Sequence, residues 1–110
     1  MEENPKPVEL LLLRIIDKME GRRNDYGLER FFGKTDICSS FYIEARLLVK
    51  KGWLTSENKQ QMNSYDVTSL GHQILQTFYD TDAIQQYVME IEPTGFILSL
   101  LRKIDESEKQ

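Results

Sequence analysis

The sequence predicts an α+β chain, mostly helical, with a three-helix core, a β-hairpin and additional C-terminal helices. Three observations lead there. Apolar residues recur at spacings of three and four over most of the chain, as in helices buried along one face. That period fails over residues 53–67, where two short runs of strand character flank a polar stretch. Gly21, Gly33 and Gly52 each close a periodic segment and open the next.

An arm of residues 1–7 ends at Pro7, which suits the first turn of a helix because its missing N–H has no partner there anyway. Val8, Leu11, Leu12, Ile15, Ile16 and Met19 then form a stripe that predicts a helix to about Glu20, stopped by Gly21. Leu10 and Leu13 are surplus to the stripe and imply burial on more than one side, with a second subunit as one possible cover. After the polar GRRND, the piece YGLERFFG holds two helical turns and groups Leu28, Phe31 and Phe32.

Thr35 or Asp36 can cap the third helix, expected over residues 36–51 and ended by Gly52. At about 100° per residue, Cys38, Phe41, Tyr42, Ala45, Leu48 and Val49 face inward. Asp36, Ser39, Ile43, Arg46, Leu47 and Lys50 face outward. WLTS and SYDV read as strands around the polar tip ENKQQMN. Thr68 can cap a fourth helix with Leu70, Ile74, Leu75 and Phe78 on its stripe. Asp82 is expected to cap a fifth, carrying Ala83, Ile84, Tyr87, Val88 and Ile91. Glu92-Pro93-Thr94-Gly95 breaks it, and Phe96, Ile97, Leu100, Leu101 and Ile104 mark the last helix before a charged tail, DESEKQ, expected to fray. The implied organisation is a unit over 8–79, helices over 80–106 for packing or dimerisation, and a frayed 107–110.

Composition is that of an ordinary folded domain, 40% hydrophobic and 29% charged. The longest apolar run, Leu10–Leu13, stops at Arg14, far short of a membrane span. The acidic start MEENPKPVEL has the wrong sign for a secretory signal, and Cys38 has no second cysteine to pair with. A cytoplasmic, reducing location is the expectation. Net charge is −4, yet residues 22–59 hold eight Lys/Arg against five Asp/Glu, a basic island between acidic ends. Local Lys/Arg excess is what phosphate contacts use, whatever the total.

Catalysis has little to stand on. There is no phosphate-cradling glycine loop and no nucleophile–base pair at a known spacing, and Glu90 and Glu92 read as solvated charge. One histidine, His72, and one cysteine make no metal-ligand set, so no metal or cofactor is expected. His72 reads as a surface residue and Cys38 as a small buried one. Trp53 and Tyr65 read as packing for the hairpin.

Two stretches, FYIEARLLVKKGWL (41–54) and YDVTSLG (65–71), lie in the order and at the distance that make the chain resemble winged-helix transcription regulators, the PadR-like and MarR-like groups in particular. Tyr42, Ala45, Leu48 and Gly52 match the inward positions and the helix-stopping glycine of that pattern. The resemblance covers residues 8–79. It implies a winged helix-turn-helix, with the third helix entering the major groove of double-stranded DNA and the hairpin acting as a wing on neighbouring backbone. It also implies a homodimer joined through terminal helices. Carried onto this sequence, Ser39, Ser40, Arg46 and Lys50 would meet phosphates or base edges, with Lys59 in the wing beside Asn58, Gln60 and Gln61. Arg22, Arg23, Arg30 and Lys34 would flank them.

Ile43 and Leu47 pull the other way. They put apolar bulk on the same outward face, beside Glu44, and the wing carries one lysine and one glutamate. The alternative is a winged-helix protein–protein interaction module that does not bind DNA.

Overall fold

A computed structural model describes residues 4–19, 23–32, 41–92 and 94–108. Among them six helices and two strands follow in order: α1 (Pro7–Lys18), α2 (Asp25–Phe32), α3 (Phe41–Lys50), β1 (Leu54–Lys59), β2 (Met62–Val67), α4 (Ser69–Phe78), α5 (Thr81–Ile91) and α6 (Phe96–Glu108). The chain is α+β, mostly helical, with one antiparallel two-stranded hairpin. The 33–40 segment, with the expected stop Gly33, the expected caps Thr35 and Asp36 and the inward Cys38, lies outside the described residues.

α1 is the central helix. Every residue from Glu9 to Ile16 is buried, and the helix packs on α3, α4, α5 and β2. This corrects one expectation. Leu10 and Leu13 are covered by the chain's own elements, so no second subunit is needed to bury them. The helix ends at Lys18; Gly21, its expected stop, lies outside the described residues. The Arg23 guanidinium donates to the carbonyls of Ile16 (3.0 Å) and Asp17 (3.1 Å) in the last turn.

α2 sends Leu28 and Phe32 into the core; Phe31, expected beside them, has its side chain outside the described set. α3 ends as expected. Gly52, at φ +84°, donates to the carbonyl of Val49 (3.0 Å), and Trp53 donates to that of Leu48 (3.0 Å). This double closure needs a left-handed residue after the helix, and glycine adopts it without a Cβ clash.

The hairpin pairs Leu54 with Val67 and runs to Lys59 opposite Met62. Only Gln60 and Gln61 form the turn, so most of the expected polar tip is strand. The outer edge of β2 is partly covered, because Tyr65 N–H donates to the carbonyl of Arg23 (2.7 Å) and Asn24 bridges Ser64. Leu54 and Tyr65 are the hairpin's buried residues; the rest of it is half-buried or exposed.

Thr68 caps α4 as expected, its hydroxyl accepting from Gly71 N–H at 3.0 Å and donating to the Gly52 carbonyl at 2.6 Å. Leu70 and Phe78, expected on the buried stripe, are exposed, and Leu75 carries the burial. The cap of α5 is Asp80, not Asp82: Asp80 Oδ1 accepts from the N–H groups of Asp82 (3.0 Å) and Ala83 (3.2 Å). Asp82 sits in the first turn instead, where its charge favours the helix dipole. Ala83 and Phe96, placed on stripes, are also exposed.

The acidic residues near the C-terminus depart most from expectation. Glu92 is buried and accepts from Ile97 N–H at 3.0 Å, which fastens the start of α6. The stretch expected to fray from Asp105 continues as helix to Glu108. Asp105 is 4% exposed and receives Arg14 of α1 at 2.7 Å. Tyr79 and Gln85 donate to its other oxygen at 3.4 and 3.3 Å, and the Arg14 guanidinium lies 4.9 Å from the Tyr79 ring centre.

Candidate nucleic-acid interface

The 3.6-residue period of α3 decides which of its side chains meet solvent. Phe41, Ala45 and Leu48 are buried in the core, and this turns Ile43, Arg46, Leu47 and Lys50 outward. On an ideal helix those four span an arc of about 100°. Ile43 is 59% exposed and Leu47 41%. Arg46 and Lys50 are exposed and make no ion pair among the described residues.

Glu44 is not part of that arc. It is half-buried, and its Oε2 is enclosed with no hydrogen-bond partner among the described residues. The described outward face of α3 therefore carries two cations, two aliphatic side chains and no carboxylate. The sequence reading set Glu44 beside Ile43 and Leu47; the helix separates them by turning it away.

Neighbouring basic residues divide between surface and frame. Lys50 points out, whereas Lys51 turns back to the buried carboxylate of Glu9 (2.5 Å) and lies over the Trp53 ring at 4.7 Å. The second oxygen of Glu9 accepts from Lys6 N–H at 2.8 Å, so one carboxylate ties the start of α1 to the end of α3. Arg23, expected near phosphates, has its guanidinium on the end of α1 and 3.5 Å from Asp66. Arg30 is exposed on α2, stacked at 5.6 Å over Tyr26. Arg22, Lys34, Ser39 and Ser40 lie outside the described residues.

The hairpin extends from the end of α3. Lys59 is exposed near its tip, 3.7 Å from Glu57 on the same strand face. A pair so open to solvent holds its partner weakly. Asn58 donates to Asn63 across the strands (3.1 Å), and Gln60 and Gln61 are exposed.

Tyrosines at this end of the molecule take unlike positions. Tyr42, expected in the core, is 38% exposed and donates to Glu29 of α2 at 3.1 Å. It sits at the border of the inward arc, where Phe41 already fills the core. Tyr26, unassigned by the sequence, is the most exposed tyrosine on α2–α3, and its four-residue spacing from Arg30 is the signal that could have found it. Tyr65 is buried and donates to Asp25 at 2.7 Å. Burial first, then that hydrogen bond, push its phenol well above the ordinary tyrosine value and keep it a neutral donor; the nearby charge of Arg46 opposes this.

A concavity lies between α1 and α4, with a volume of about 370 Å³. Its charges answer one another. Arg14 is held by Asp105, and Asp17 lies 2.9 Å from His72 and 3.7 Å from Lys18. Such matching leaves no net preference for an anionic or cationic ligand. Among the described residues no cluster of His, Cys, Asp and Glu could hold a metal, and no helix is long and apolar enough to cross a membrane.

No family model, curated protein or solved structure matches this chain.

Proposed function

We propose that this chain is a winged-helix transcriptional regulator that binds duplex DNA through helix 36–51 and the hairpin over 53–67. The observation that carries the reading is the outward arc of α3: Arg46 and Lys50 stand free of ion pairs among the described residues, on a face without a carboxylate, directly before an exposed hairpin. An exposed helix with free cations fits the major groove, and a protruding hairpin fits the backbone beside it. Arg46 and Lys50 are assigned to phosphates or base edges and Lys59 to backbone, with Ser39 and Ser40, which lie outside the described residues, proposed to join them. Arg23 is not needed for this role.

The reading includes a homodimer, which would set two such helices about 34 Å apart on successive major grooves. Met89 and Phe96, exposed on α5 and α6, support the terminal helices as its contact rather than α1.

The test is fluorescence anisotropy with labelled duplex from the gene's own upstream region, against a scrambled duplex, over a salt series. Each lost phosphate contact should lower the slope of log affinity on log salt by about 0.9. Arg46→Ala with Lys50→Ala should thus weaken binding and flatten the slope by roughly two. Unchanged affinity and slope would overturn the assignment.

A second reading rests on the exposure of Ile43 and Leu47: a protein-interaction module on the same scaffold. It expects no salt-sensitive DNA binding and the loss of a protein partner on Ile43→Asp or Leu47→Asp.

A further inference from the structure

Ile43 and Leu47 are the least expected features of a face meant for a polyanion. They are one turn apart on α3, both well exposed, and share the outward arc with Arg46 and Lys50, which lie side by side along one edge of it. Neither is needed by the core, which takes Phe41, Ala45 and Leu48 from the opposite side. Aliphatic side chains left in water beside two cations contribute little to the stability of the fold. A partner surface with both negative charge and isolated apolar groups would cover the whole arc.

Duplex DNA presents that combination in its major groove. The apolar group on its base edges there is the C5 methyl of thymine, set among hydrogen-bonding edges and bordered by phosphates. Residues four apart on a helix are about 6 Å apart along its axis. Base pairs stack at about 3.4 Å, so the two side chains can reach methyls one or two steps apart. With Glu44 turned inward, no carboxylate on the described arc opposes the approach.

Resting on the DNA-binding reading above, we propose that Ile43 and Leu47 recognise thymine methyl groups, so that preferred sites carry thymines beside the contacts of Arg46 and Lys50.

The experiment compares binding of the full chain to labelled alternating poly(dA-dT) and poly(dA-dU) by fluorescence anisotropy at low salt. The two duplexes share every hydrogen-bonding edge and differ by the thymine methyl. Burial of one methyl is worth about fourfold in affinity, so two contacts should favour poly(dA-dT) by roughly fifteenfold. Ile43→Ala with Leu47→Ala should erase that ratio. Both positions are exposed, so the fold should survive, which circular dichroism checks.

Equal binding of the two duplexes would overturn the methyl assignment and leave DNA binding standing. A preference that persists undiminished in the double variant would also overturn it, because the discrimination would then come from duplex shape. No binding of either duplex would overturn the DNA reading itself, with this inference, and leave the patch to a protein partner.

Discussion

The α1 side of the molecule and the α3–hairpin side handle charge in opposite ways. Along α1 each of three charged side chains is met by a partner from a distant part of the chain: Glu9 by Lys51, Arg14 by Asp105 and Asp17 by His72. On the outward face of α3, Arg46 and Lys50 have no ion-pair partner among the described residues, and Lys59 has only an exposed neighbour on its own strand. Buried charge must be matched where it sits, since its desolvation is not returned by water. Exposed charge can wait for a partner at little cost. The inner side therefore spends its polar groups on holding helices together, and the outer side leaves them available.

The comparison breaks most visibly at Asp105. Its carboxylate is the shared acceptor of Arg14, Tyr79 and Gln85, so it joins α1 and α6 to the α4–α5 corner. Asp105→Ala removes the carboxylate from beside a guanidinium whose side chain is only 11% exposed. A broken buried pair of this kind should destabilise the fold by about 3–5 kcal/mol, read as a lower denaturant midpoint. Adding Arg14→Met should restore a large part of the loss, because an apolar group carries no desolvation cost. A loss from Asp105→Ala below about 1 kcal/mol would mean the pair is effectively solvated, and the contrast between the two sides would collapse.

The seam between the two sides is set by Gly71. α4 approaches the corner after α3 so closely that a Cβ at Gly71 would overlap the Trp53 carbonyl oxygen and come 2.7 Å from Val67 Cγ1. That carbonyl also accepts Thr68 N–H at 3.1 Å, so it cannot move without loosening the cap of α4. Gly71→Ala gains up to about 1 kcal/mol of helix propensity but pushes on backbone, an overpacking cost of about 1–3 kcal/mol. The expected net result is a lower melting temperature. A rise would show that the corner yields, and that the hairpin is less firmly seated on α4 than the contact implies.

What could be read in advance follows the same division. Local rules were sufficient where a residue's role depends on its own helix or turn. The Gly52 stop, the Thr68 cap and the outward set of Ile43, Arg46, Leu47 and Lys50 all follow from near neighbours in sequence. Roles set by distant partners were not legible. Asp105 looks like part of a solvated tail until Arg14, 91 residues earlier, is beside it. Glu92 looks solvated until α6 places the Ile97 amide over it. Leu10 and Leu13 look surplus until the chain's other elements wrap α1. Asp80 and Asp82 precede the same stripe, and only backbone geometry selects between them. At the candidate interface, spacing could place Arg23 in a basic stretch but could not reveal that the end of α1 would claim its guanidinium.

The hairpin turn offers the smallest and sharpest probe of the outer side. Gln60 and Gln61 both have positive φ, 54° and 66°, in a two-residue connection between paired Lys59 and Met62. Turns of this shape favour Asn-Gly, since other side chains meet a steric cost of about 1–2 kcal/mol per left-handed residue. Gln60→Asn with Gln61→Gly should therefore raise stability by about 1 kcal/mol, seen in the denaturant midpoint and in slower amide exchange along β1 and β2. Measuring DNA affinity on the same variant gives the result its meaning. If stability rises and affinity falls, the two glutamine side chains are held in a costly turn because they touch the duplex. If stability rises and affinity is unchanged, the cost serves no contact, and the wing's role reduces to Lys59 and the strand backbone near it.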